Sequence, residues 1–137
     1  MACAADHYDL CVKTWAAGAE QAASGSGHED YVHRASQNLG ETAARLGNYD
    51  EAVIQFKKSL SSMQRLLSAH AAHSAHAGRP RKLMSEAHVN IGSTFVLLGR
   101  VQEAAAKFHE AYLLAPKHID ENTAFRKYKR SLVNNEM

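Results

Sequence analysis

The sequence predicts an all-α fold, and three observations support that prediction. Ala, Glu, Gln, Lys and Leu, all strong helix formers, are abundant throughout the chain. Only two prolines occur in 137 residues, and both lie outside the helical patterns. No run alternates β-branched with polar residues as a half-buried strand would. At this length we expect one domain that buries roughly two thirds of its unfolded surface.

The helices are organised around a segment that runs from Ser85 to His118 and reads SEAHVNIGSTFVLLGRVQEAAAKFHEAYLLAPKH. It follows the order W-x2-L-G-x2-Y, A-x3-F, P, which is the pattern of a 34-residue helix–turn–helix repeat. The matching positions are Ile91, Gly92, Phe95, Ala104, Phe108 and Pro116. On these residues the sequence resembles a tetratricopeptide-repeat (TPR) protein.

A second copy of the pattern runs from His33 to Leu66, with Leu39-Gly40, Ala52 and Phe56 in the same relation. Gly92 lies 52 residues after Gly40, so the two copies are further apart than 34-residue repeats would be. Each first helix is expected to end at a glycine, Gly47 or Gly99. The copies depart from the family pattern at four positions, namely Ser36, Ala43, Gln64 and His88.

These patterns predict a single TPR-like domain over 1–137, an α-α superhelix of about six antiparallel helices. A capping helix covers 5–23, repeat 1 covers 28–77, repeat 2 covers 80–116, and a C-terminal capping helix covers 119–133. Nothing breaks the second helix of repeat 1 between Tyr49 and Ala77. This length resembles the extended repeats of kinesin light chains and spindle-orientation adaptors, which recognise peptide segments, although the insertion here is larger.

The sequence contains no Gly-rich phosphate loop, no G-x-S-x-G and no H-E-x-x-H motif. We therefore expect no enzymatic activity and no cofactor. His70, His73 and His76 recur at steps of three near the end of the long helix, but no Cys, Asp or Glu completes a metal site there. Cys3 and Cys11 are expected to be reduced thiols. A metal-dependent or redox module is therefore the third of three possible function classes. The other two are a protein-binding adaptor and a nucleic-acid-binding protein.

The resemblance implies a protein-binding adaptor or scaffold, a small subunit of a larger, cytoskeletal or ciliary, assembly. It also implies that inward positions of the first helices line a groove for the partner. Those positions are Arg34, Gln37, Asn38, Glu41 and Arg45, then Glu86, Val89, Asn90, Ser93 and Leu97. TPR domains that clamp acidic chaperone tails have Lys and Asn where this chain has Gln37 and Glu41, so we expect no binding of such tails.

The alternative function uses a basic cluster, defined as Arg126, Lys127, Lys129 and Arg130, to bind nucleic acid. The formal net charge of +2 is too small to favour nucleic acid or an anionic membrane over a protein partner. The N-terminus lacks the basic and apolar regions of a signal peptide, and no apolar run is long enough to span a bilayer. We therefore expect a cytoplasmic protein, and the family resemblance implies association with the cytoskeleton.

Overall fold

A computed structural model describes residues 8–21, 26–69 and 78–116. These residues form five helices, and no strand occurs among them: α1 (Tyr8–Gln21), α2 (Ser26–Arg45), α3 (Tyr49–Ala69), α4 (Gly78–Leu97) and α5 (Val101–Leu114). The predicted all-α, TPR-like repeat is therefore confirmed. The predicted C-terminal capping helix over 119–133 and the continuation of α3 over 70–77 lie outside the described residues.

Consecutive helices pack against each other along the chain. The closest pairs are α2 with α3 and α4 with α5, and α3 also packs against α4. Because α3 runs antiparallel to both of its neighbours, α2 and α4 point the same way. The first turns of α2 and α4 are joined by an ion pair, in which Arg79 lies 2.7 Å from Asp30. The two helix–turn–helix units therefore present α2 and α4 as parallel first helices.

The turns of the two units have the same backbone hydrogen bonds. Gly47 has φ +81° and Gly99 has φ +77°, the left-handed conformation in which glycine has no steric penalty. The Gly47 N–H donates to Ala44 O at 3.1 Å, and the Asn48 N–H donates to Ala43 O at 2.9 Å. The same pair of bonds recurs 52 residues later, at Gly99 and Arg100. Both turns are thus Schellman motifs, as the repeated glycines predict.

Glycine also sets the distance between the helices of each unit. A Cβ added at Gly40 would lie 2.6 to 2.9 Å from three ring atoms of Phe56, and one added at Gly92 would lie 3.1 to 3.2 Å from the ring of Phe108. Both rings are buried, at 4% and 2% exposure. Each phenylalanine therefore packs directly on the backbone of the preceding helix, which a larger residue at the glycine would prevent.

Two hydrophobic clusters form the core of the described part of the chain. The main cluster spans α2 to α5 and centres on Phe56, Phe95 and Phe108. The second cluster contains Met63, Leu66 and Met84, and so joins the later turns of α3 to the first turns of α4. Position 64, where the family pattern has proline, is Gln64, so nothing ends α3 there. The longer α3 thus forms a second contact with α4.

Helix α1 contacts both α2 and α3 through aromatic side chains. The Trp15 and Tyr31 rings lie 5.5 Å apart at 55°, and the Tyr8 hydroxyl donates a hydrogen bond to Glu51 at 3.3 Å. Burial, together with the charge of Glu51, raises the pKa of Tyr8 to about 12, so its hydroxyl stays protonated as a donor. Cys11 is disulfide-bonded, so the expectation of a reduced thiol is wrong at this position; Cys3 lies outside the described residues.

Candidate functional site

The face formed by the parallel helices α2 and α4, called the first-helix face below, carries the predicted groove residues. Four of them are exposed and five are partly exposed. The exposed four are Arg34, Asn38, Arg45 and Leu97, and the partly exposed five are Gln37, Glu41, Glu86, Asn90 and Ser93. The tenth, Val89, is only 4% exposed and belongs to the main core cluster. The structure therefore places Val89 in the interior, where a partner does not reach it.

The hydrogen bonds around Val89 recur at the equivalent place in α2, but its burial does not. Val89 precedes Asn90, whose backbone carbonyl accepts a hydrogen bond from the Thr94 hydroxyl at 2.8 Å. The same bond joins Thr42 to Asn38 in α2 at 2.9 Å. At the position equivalent to Val89, α2 carries Gln37, which is partly exposed. The apolar side chain in repeat 2 therefore completes the core where repeat 1 has a polar surface residue.

The charges on α2 are available to a partner. Glu41 and Arg45 are one helical turn apart, yet they form no ion pair with each other or with any other described residue. In repeat 2 the equivalent of Arg45 is Leu97, which is 62% exposed. Near the ends of these parallel helices, α2 therefore carries an unpaired carboxylate and a cation, and α4 carries an exposed apolar side chain.

Two ion pairs at the opposite end of this face connect the start of α2 to its neighbours. Arg65 of α3 donates a hydrogen bond to Glu29 at 2.9 Å, and Arg79 of α4 donates one to Asp30 at 2.7 Å. Burial opposes ionisation of Glu29, but the hydrogen bond and charge of Arg65 together lower its pKa. Both arginine side chains are more than half exposed, so each pair contributes little stability by itself. Together they mark where the start of α2 lies beside α3 and α4.

A buried polar contact joins the two helices of each unit at equivalent positions. In repeat 1, His33 Nδ1 lies 2.6 Å from the Ser59 hydroxyl oxygen, and in repeat 2 the Ser85 hydroxyl donates to Ala111 O at 2.8 Å. Burial lowers the pKa of His33, and the charge of Arg79 adds to that effect. His33 is therefore a neutral, hydrogen-bonded part of the core, which the sequence pattern did not indicate.

His88 is the second buried histidine, and it occupies the position of the large aromatic in the family pattern. Its Nδ1 lies 3.3 Å from Glu110 Oε2 but lacks a hydrogen-bond partner with suitable geometry among the described residues. Burial lowers the pKa of His88, although the charge of Glu110 acts in the opposite direction. The equivalent residue in repeat 1 is the smaller Ser36, also buried. This difference in size matters for the cavity described below.

Several predicted features lie outside the described residues, namely the basic cluster (Arg126, Lys127, Lys129 and Arg130) and the histidines at 70, 73 and 76. Within the described ranges, no group of three or more His, Cys, Asp or Glu side chains is placed to hold a metal ion. In that same part of the chain, no helix has both the length and the apolar character needed to cross a membrane.

Comparison with known proteins gives one family match. A tetratricopeptide-repeat family model matches residues 33–62. The match begins at His33 on α2, includes the turn at Gly47 and ends within α3. No curated protein matches the sequence significantly. The matched segment is the first of the two helix–turn–helix units, whose turn bonds and helix contacts recur in the second.

Proposed function

Because this chain is a tetratricopeptide-repeat protein, we propose that it is a non-enzymatic adaptor that binds partner proteins through its first-helix face. Tetratricopeptide repeats support protein–protein interaction as a general role. The observation that carries the proposal is the pair Glu41 and Arg45, which are accessible and unpaired among the described residues. A partner that binds these unpaired charges does not have to break an ion pair of the free protein.

The composition of the face indicates what kind of partner segment it suits. Arg34 and Arg45 flank Glu41 on α2, while α4 contributes Asn90, Ser93 and the exposed Leu97. A segment that alternates charge along α2 and carries an apolar residue near Leu97 would match this surface. A uniformly acidic tail would meet Glu41, which argues against a chaperone tail as the partner.

Membership of a larger assembly is the finer part of the proposal. Only two repeats are present in the described residues, so the first-helix face is short, and a single peptide would bury little area there. The extended α3 resembles the long helices of kinesin light chains and spindle-orientation adaptors, which favours a cytoskeletal or ciliary assembly. A cytoplasmic location belongs to the same proposal, although a disulfide-bonded Cys11 is more typical of an oxidising compartment.

The test reverses two charges together, in the variant Glu41→Lys with Arg45→Glu. Both residues are at least partly exposed and neither has an ion pair, so the melting temperature should change little. Asp9→Lys with Lys13→Asp is the matched control, because those residues have the same spacing, are exposed on α1 and leave the net charge unchanged. Proteins recovered with each tagged form from its source cells are then quantified by mass spectrometry.

We expect the variant at 41 and 45 to lose partners that the α1 control retains. If both forms recover the same partners while charge reversal of Arg126, Lys127, Lys129 and Arg130 abolishes recovery, the first-helix face is not the site. Loss of RNA binding in that last variant, with a steep dependence on salt, would support the alternative nucleic-acid function.

A further inference from the structure

A cavity of about 190 Å³ lies between α1 and the first repeat. Helices α1, α2 and α3 each contribute side chains to its wall, which consists of Val12, Trp15, Ala16, Val32, Ala35, Ser36, Leu39, Gln55 and Lys58. None of these residues belongs to the predicted groove set on the first-helix face. The cavity is therefore a separate surface feature of the molecule.

The small side chain of Ser36 explains why there is space here. Ser36 stands where the family pattern has a large aromatic residue, and the equivalent position in repeat 2 carries the larger His88. Both residues are buried, at 5% and 6% exposure. The Ser36 hydroxyl forms no hydrogen bond with another described residue. Repeat 1 thus leaves empty a volume that a bulky side chain fills in repeats of this pattern.

The size and lining of the cavity suit a single apolar group. Six of the nine lining residues are apolar, and Trp15 provides an aromatic wall. An apolar protein cavity of about 150 Å³ is large enough to bind benzene. Sites for whole drug-sized molecules are larger, about 300–1,000 Å³. The space therefore fits one aromatic ring or one branched aliphatic side chain, delivered by a chain that continues outside it.

Lys58 gives the cavity a charge preference. It is exposed and is the one charged residue among the nine that line the space. It has no ion pair with a described residue, and no acidic residue lies within four positions of it on α3. A ligand that buries an apolar group in the cavity and carries a carboxylate beside it would satisfy both features.

We propose that this cavity binds one apolar side chain, aromatic or branched aliphatic, of a partner protein segment that has an acidic residue next to it. The proposal rests on the proposed protein-binding function for the nature of the partner, but it uses different residues. It makes the seam between α1 and repeat 1 a second contact site. A partner can then be held on two sides of α2, which suits a subunit that lies between larger proteins.

Trp15 is the only tryptophan in the chain, so its indole N–H gives a single assignable NMR signal at the cavity wall. The probes are three capped dipeptides: acetyl-Phe-Asp-amide, acetyl-Phe-Lys-amide and acetyl-Ala-Asp-amide. We expect Phe-Asp to shift the Trp15 signal saturably. It should bind at least about tenfold more tightly than Ala-Asp, because only Phe-Asp buries a ring. Phe-Lys should bind up to about fivefold more weakly than Phe-Asp.

Two variants locate the effect. Ser36→Leu fills the cavity and should remove the saturable shift while the melting temperature is unchanged or raised. His88→Leu places the same side chain at the equivalent position of repeat 2, away from the cavity, and should leave the shift intact. If Ser36→Leu lowers the melting temperature, Lys58→Glu decides, because this exposed substitution should reverse the preference between Phe-Asp and Phe-Lys.

The proposal is overturned if neither phenylalanine probe gives a saturable shift, if the folded Ser36→Leu protein still responds, or if Lys58→Glu leaves the probe order unchanged. Probe binding that disappears when the chain self-associates at high concentration would instead assign the cavity to a second copy. The variant at Glu41 and Arg45 should leave probe binding unchanged. If that variant loses its partners and no probe binds the cavity, this proposal is wrong and the proposed function is supported.

Discussion

Substituting the glycines that separate the helices tests the fold where its geometry is tightest. In Gly40→Ala, the new Cβ would lie 2.6 Å from Phe56 Cε1 and within 2.9 Å of two more ring atoms. The ring is buried and cannot swing into solvent. Overpacking of this kind costs about 3 kcal/mol at the upper end of its usual range. The gain in helix propensity, about 1 kcal/mol, offsets part of that cost.

The net loss at Gly40 is thus about 2 kcal/mol. An unfolding entropy of about 2.1 cal/mol/K per residue gives about 0.29 kcal/mol/K for 137 residues. The melting temperature of Gly40→Ala should therefore fall by about 7 °C. Gly92→Ala meets the Phe108 ring at 3.1 Å, so its cost of about 1 kcal/mol should cancel the propensity gain. Gly27→Ala, with nothing within 4 Å, is the control and should not be destabilised.

Urea unfolding followed by circular dichroism measures these differences, and a double-mutant cycle identifies their cause. Phe56→Leu removes Cε1 and Cζ, two of the three ring atoms that the new Cβ would strike, whereas leucine keeps a counterpart of Cδ1. The remaining contact, at about 1 kcal/mol, offsets the gain in helix propensity. In that background Gly40→Ala should cost nothing, a coupling of about 2 kcal/mol. If Gly40→Ala proves as stable as the unsubstituted chain, or if Phe56→Leu does not rescue it, the direct packing of ring on backbone is refuted.

Two further predictions concern the interior. Phe56→Ala and Phe108→Ala should each lose about 3–5 kcal/mol in urea unfolding, because both rings are buried, whereas Tyr112→Ala at a 41% exposed position should lose far less. The lowered pKa values of His33 and His88 mean that protonation favours the unfolded chain. The free energy of unfolding should therefore be highest above about pH 6.5 and fall as the pH drops below it, by at most about 1.4 kcal/mol per pH unit for each histidine. A free energy of unfolding that stays constant between pH 7 and 5 would contradict the burial of neutral histidines.

The sequence predicts those parts of the fold that depend on single residues and their local geometry. Gly47 and Gly99 predict where the first helices end, because few other residues adopt positive φ. Gly40 and Phe56 predict the close contact within repeat 1, because their spacing recurs 52 residues later. Each of these inferences needs only local geometry and a second copy for comparison.

The contacts that the sequence did not reveal depend on residues that are far apart and polar. Arg79 and Asp30 are 49 residues apart, and no repeat rule pairs them. His33 and Ser59 are 26 residues apart in the sequence, as are Ser85 and Ala111. The chemistry of the two contacts differs, so the repeat pattern predicts neither of them. Periodicity places side chains on a face without saying whether a neighbouring helix covers them. For Val89 the repeat pattern therefore predicts a place in the groove, whereas the structure buries it.

The long α3 links the unusual repeat spacing to the proposed binding surface. It extends over 21 residues against 14 for α5, and its later turns carry Met63 and Leu66 onto Met84 of α4. Helix α4 is therefore held against α3 at two places along its length, by the main core and by this second cluster. Its orientation relative to α2, which also packs on α3, is fixed accordingly. In the proposed function, the partner binds two first helices that are already ordered, and a pre-ordered surface loses less free energy on binding. A short repeat can in this way bind with an affinity that its area alone would not predict.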